Sequence, residues 1–165
     1  MLHRLARLLV VALVVALPAC KNSKGTTIFD PTAFLGTWAG TWTNTTFSST
    51  GAANVVVAQN GSNLTFTVDL DGNVFGGTNP AAEVFTGSFD TSRVSLGATT
   101  SAVYGDLTGT LNANGSYTIS GANISGSVAS FTMTGNWTGT QITANVAITF
   151  DNSTTAAATG SLTKQ

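Results

Sequence analysis

Through most of the chain, apolar and polar residues alternate one for one, and few architectures accommodate that pattern. Leu64, Phe66, Val68 and Leu70 interleave with Thr65, Thr67 and Asp69, and Phe131, Met133 and Trp137 interleave with Thr132, Thr134, Asn136 and Thr138. Ile142, Ala144, Val146, Ile148 and Phe150 make the longest such face. Side chains of a strand point alternately to its two sides, so this period marks strands with one buried face and one wet face. Between the runs lie Asn60-Gly61, Asp71-Gly72, Gly76-Gly77-Thr78-Asn79-Pro80, Asn114-Gly115 and Asp151-Asn152. These residue types suit the positive φ angles of tight hairpins.

About eight to ten strands of roughly 6–10 residues fit between Leu35 and Lys164. No stretch after residue 20 has a helical period with caps. The expected fold class is therefore all-β, a single antiparallel up-and-down β-barrel of about 8–10 strands. Closure removes the exposed edges that a Thr- and Val-rich sheet would otherwise offer for aggregation. Two other β architectures fit less well. The Gly/Thr/Asn-rich residues 107–139 lack the fixed period of stacked repeats. A membrane barrel needs a lipid-facing apolar band, whereas one face of these strands is Thr, Ser and Asn.

The first twenty residues follow a different logic. His3, Arg4 and Arg7 precede an unbroken apolar run at 8–17. That run is about half of what a bilayer span requires, so it reads as the helical core of a secretory signal peptide. The next residues, Leu17-Pro18-Ala19-Cys20, resemble the lipobox of bacterial lipoproteins, with Leu at −3, a small residue at −1 and Cys at +1. Pro18 departs from the small or β-branched residue usual at −2. The resemblance implies cleavage before Cys20, diacylglycerol on its thiol and acylation of the new amine. Two or three such chains hold a protein on a membrane where one is marginal. Lys21 follows where an Asp would resemble an inner-membrane retention signal, which favours an outer-membrane address in the cell envelope. The expected organisation is a signal peptide at 1–19, lipidated Cys20 with a flexible tether through 33, and the β domain at 34–165.

At the start of that domain, Gly36-Thr37-Trp38 and Gly40-Thr41-Trp42 resemble the Gly-x-Trp that opens the first strand of lipocalins and the Gly-Thr-Trp of avidin-type barrels. In lipocalins the tryptophan closes the barrel floor and packs against a basic side chain from a late strand. Lys164 is the only late basic residue of this chain.

Composition narrows the chemistry. Charged residues are 8% of the chain, and from Cys20 onward four bases face seven acids, a net charge of −3. No basic stripe is available for nucleic acid. Cys20 is the only cysteine, so an intrachain disulfide and a cysteine metal site are both ruled out. The only histidine, His3, leaves with the signal, and the serines and threonines have no sequence-adjacent base to activate them. Asp69 and Asp71 have the spacing of a Ca²⁺ turn but depart from the EF-hand loop at Val74 and Pro80, where Gly and Glu are required. Their separation of about 6.5–7 Å along a strand would also suit an inverting glycosidase. A solvated hairpin turn explains the pair more simply. Arg93 reads as a surface residue beside Asp90.

The expectation is thus a domain that is not an enzyme and uses no metal or cofactor. Trp38, Trp42, Phe66, Phe131, Met133 and Trp137, with Tyr104 and Tyr117, either fill the interior or line a cavity for a small apolar ligand. The abundant Gly and Ala reduce side-chain volume and favour a cavity. The expected function is a membrane-anchored envelope lipoprotein that binds or senses such a ligand. The alternative is a solid, adhesin-like β domain that meets proteins or glycans through its Thr/Asn-rich exterior.

Overall fold

The computed structural model describes residues 27–165. The signal peptide and Cys20 lie outside the described residues. Ten antiparallel strands follow: β1 (Gly36–Asn44), β2 (Thr50–Asn60), β3 (Asn63–Leu70), β4 (Glu83–Phe89), β5 (Arg93–Ser101), β6 (Gly105–Asn112), β7 (Ser116–Ala122), β8 (Val128–Trp137), β9 (Gln141–Phe150) and β10 (Thr155–Lys164). Each pairs with its neighbours in sequence, and β10 returns to β1 to close the barrel. The 107–139 stretch that raised the possibility of a solenoid supplies β6, β7 and β8 of this barrel.

The alternation seen in the sequence becomes the inside and outside of the wall. In antiparallel strands directly opposed residues share a face. Phe66 is opposed by Val57 on one side and Phe85 on the other, and Phe131 is opposed by Gly121 and Ile148. Val68, Trp137 and Ile148 all face the interior.

With few charges available, four turns are held by one device, an Asp or Asn followed two residues later by Ser or Thr. Asp30, Asp90, Asn114 and Asn152 each accept, through Oδ1, the backbone N–H and the side-chain hydroxyl of Thr32, Ser92, Ser116 and Thr154. These are side-chain turns that satisfy the backbone without ion pairs.

One end of the barrel is closed. Asp30 caps a 3-10 turn at Pro31–Ala33, with Pro31 at the first helical position, and Phe29 and Phe34 stack face to face with centroids 5.1 Å apart. Both rings are 5% exposed and join Trp38, Leu64, Val94, Leu111 and Trp137 in a floor cluster. The Phe29 N–H is anchored on the Thr91 carbonyl at 2.9 Å. The globular unit therefore begins before residue 34. The last part of the segment assigned to a tether is packed structure, because Phe29 buries against the floor beside Phe34. A lone Phe29 without alternation carries no strand signal, which is why the sequence reads as linker there.

Trp38 has no exposed surface, and its Nε1 donates to the Phe34 carbonyl at 2.9 Å. Lys164, directly opposite Trp38 in the β1–β10 ladder, places Nζ 5.3 Å from the centre of the indole and 3.4 Å from the Ala33 carbonyl. The floor thus pairs a buried tryptophan with a basic side chain from the last strand.

Candidate functional site

Above this floor the inward side chains do not fill the closed barrel. A cavity of about 620 Å³ occupies the upper barrel. Its size follows from the strand number, since ten strands make a wider barrel than the roughly eight whose side chains just fill the interior. Trp42, Phe66, Phe131, Met133 and Trp137 all line it. Trp38 does not, because it lies beneath, sealed in the floor cluster. Tyr104 and Tyr117 also reach the wall, together with Val55, Val68, Leu70, Phe85, Leu96 and Ile148. Among the described residues no Asp, Glu, Lys, Arg or His belongs to that lining.

Room for the aromatic rings comes from facing glycines. Trp42 opposes Gly51 across β1 and β2, and its Nε1 donates to the Asp71 carbonyl at 2.8 Å. A Cβ at position 51 would fall within 1.9 Å of that same carbonyl oxygen, so only glycine lets the β3–β4 loop approach. Asp71 thus serves as a loop anchor: its N–H donates to the Ala52 carbonyl at 2.9 Å and Gly72 follows at φ +93°. Asp69 sits in β3 opposite Asn54, on the side away from Val68.

The mouth brings loop residues that carried no alternation signal against the end of an alternating strand. Phe47, 62% exposed in the β1–β2 loop, meets Phe150 edge to face at 6.1 Å. Phe75 belongs to a second 3-10 turn, Val74–Gly76, and lies at φ 54°, ψ 28°, a left-handed conformation rare for a bulky side chain. Its ring packs on Phe131 at 5.3 Å and on Tyr104 at 6.2 Å, which offsets the backbone strain and adds an aromatic ring to the cavity lining. Polar Asn44, Ser49, Asn73 and Ser127 complete the rim. Sequence reasoning passes over Phe75 because it stands among turn residues. A lone large aromatic in such a loop is the one signal that could have marked it.

The two tyrosines differ in their hydroxyls. Tyr117 donates to the Thr143 carbonyl at 2.9 Å, and burial pushes its pKa up to about 12. Tyr104 is buried with no partner for its hydroxyl among the described residues. Burial first, then the negative charges of Glu83 and Asp69, raise its pKa well above the tyrosine norm, so the hydroxyl stays protonated. Trp137 is the second such group: its Nε1–H is buried and unpartnered among the described residues. Such orphans are uncommon, because an unmade bond on a buried polar group costs about 1–3 kcal/mol.

No family model matches the chain, and no curated protein does. Among solved structures it is similar to the crystal structure of Rv2717c from M. tuberculosis, at 15% sequence identity and a TM-score of 0.56. The match covers 81% of this chain and 93% of that one. At that identity the likeness is one of fold, a barrel shared nearly end to end with a protein of different sequence.

Proposed function

We propose that this protein is a lipid-anchored envelope lipoprotein whose barrel binds a small, mainly apolar molecule. The observation that carries the reading is the cavity of about 620 Å³, which falls in the usual range for small-molecule sites and has a largely aliphatic and aromatic wall. Its inventory of groups favours binding over catalysis, since proton transfer or nucleophilic attack needs a base that the lining does not offer. The anchor rests on the signal-like 1–19 segment and Cys20. The acyl chains on Cys20 would hold the barrel near a membrane, and an outer-membrane location is part of the proposal.

Trp42 and Trp137 stand on the cavity wall and report occupancy directly. Titrating the protein with a panel of apolar molecules while following tryptophan emission is expected to give a saturable change for at least one of them. A flat response across the panel would remove the reading. Separately, Cys20→Ser is expected to move the protein from the membrane fraction to the soluble fraction. Unchanged membrane association would remove the anchor.

A further inference from the structure

In an up-and-down barrel successive turns alternate between the two ends, and this alternation sorts the few charges of the chain. Asp69 near the end of β3, Asp71 just past it, Glu83 at the start of β4, Asp106 at the start of β6 and Asp151 after β9 all stand at the mouth end. Both bases of the described residues, Arg93 at the start of β5 and Lys164 at the end of β10, stand at the floor end, as do Asp30 and Asp90. Among the described residues, the side chains of the floor end are thus formally neutral. Those of the mouth end carry five negative charges with no base among them.

That charge reaches the cavity. Glu83 opposes Val68 across β3 and β4, so it stands on the inner side of the wall. With Asp69 it sets a negative potential at Tyr104, a residue of the lining. Asp71 belongs to the turn whose carbonyl holds Trp42, and Asp151 to the turn beside Phe47 and Phe150. The described lining has no charged side chain to offset them, and low-dielectric walls focus such a field along an opening. Aromatic rings gather at the same end: Trp42, Phe47, Phe75 and Phe150 all line the cavity. The faces of such rings attract cations, quaternary ammonium groups above all. Acids and rings are different residues, and both favour the same sign of charge.

The cavity supplies the site, while the acids and rings set the charge that its entrance tolerates. Resting on the ligand-binding reading above, we propose that the barrel selects its ligand by charge, favouring an amphiphile with an apolar tail and a cationic head. The tail fills the cavity and the head stays among the acids of the mouth. Ionised fatty acids are disfavoured, because their carboxylate meets like charge at the same place.

Three probes with matched tails test this on the full-length protein: decyltrimethylammonium, decanol and decanoate. They are titrated at about pH 8, where decanoate is ionised, and followed by tryptophan emission. At an ionic strength of about 20 mM the ammonium is expected to bind roughly threefold more tightly than the alcohol and roughly tenfold more tightly than the carboxylate, the effect of a few partly screened charges acting across water. At about 0.5 M salt, where screening acts within about 4 Å, the gap between ammonium and carboxylate should narrow to roughly threefold or less. Glu83→Gln should narrow that gap at low salt while leaving decanol binding in place. Decanoate that binds as tightly as the ammonium at low salt would overturn this inference and leave the apolar-ligand reading standing, as would a gap that high salt does not narrow. Failure of all three probes to bind would overturn the reading beneath it, and this inference with it. The comparison among probes is made on the unaltered protein, so it holds even if Glu83→Gln fails to fold.

Discussion

Replacing Trp38 with phenylalanine tests whether the floor is held by the indole itself or by the cation above it. The substitution removes the Nε1–H that donates to the Phe34 carbonyl at 2.9 Å in a site with no solvent exposure. A carbonyl stripped of its partner there costs about 1–3 kcal/mol. The smaller ring also leaves a void of roughly 40 Å³, worth about 1 kcal/mol at the usual cavity coefficient. Edge contact with Trp137, now at 5.2 Å, loosens in addition. The expected loss is about 2–4 kcal/mol, or roughly 6–12 °C in Tm for a domain of this size. Lys164→Met retains most of the aliphatic stem over the indole and removes the charge, 5.3 Å from the ring centre, with its long exposed hydrogen bond to the Ala33 carbonyl at 3.4 Å. An exposed cation–π contact is worth about 0.5–1 kcal/mol, so this variant should lose much less. Urea unfolding followed by far-ultraviolet circular dichroism measures both without depending on tryptophan emission. A loss below about 1 kcal/mol for Trp38→Phe, or an equal loss for Lys164→Met, would refute the assignment of the floor to the buried hydrogen bond and packing.

Gly135→Ala should destabilise the barrel by about 1–3 kcal/mol, the usual penalty of overpacking. Its Cβ would fall 1.9 Å from the Thr143 carbonyl oxygen and 2.6 Å from the Tyr117 hydroxyl, and a melting temperature equal to the parent's would count against this packing. Stability should fall as pH rises above about 10. The unfolded Tyr117 releases its proton near 10.0, whereas the folded one holds it to about 12, so deprotonation favours the unfolded chain across that interval. Tyr104 acts in the same direction, and urea midpoints that stay level from pH 9 to 11 would contradict both. On the acid side, hydrogen bonds from Thr32, Ser92 and Asn123 hold the carboxyls of Asp30, Asp90 and Asp106 below their ordinary value of 3.8. Their contribution is present above that value and disappears as pH falls through the folded pKa values, so the urea midpoint should decline only in strong acid.

Much of the barrel is legible before any coordinates are drawn. The alternation of Leu64 to Leu70 and of Ile142 to Phe150 appears as β3 and β9 with the named residues turned inward. The Asn60-Gly61 and Asn114-Gly115 dipeptides sit in hairpin turns, with both glycines at positive φ. Five of the six aromatic and sulfur-bearing residues singled out as a lining reach one cavity, and the sixth, Trp38, seals its base. The misses share a cause. Phe29, Phe47 and Phe75 lie outside alternating runs, so their burial or placement depends on surfaces supplied by distant strands.

The residue order alone determined the strands, their turns and which face of each is wet, because these depend on neighbours one or two positions apart and on backbone angles each residue type permits. Only the closed tertiary structure decided that Lys164 meets Trp38, that the 3-10 turn plugs one end, and that the inward side chains leave a void. A cavity is the difference between the circumference set by ten strands and the volume of the side chains that point inward. No single strand contains that difference, and neither Trp137 nor Tyr104 is marked as unpartnered until the opposite wall is in place.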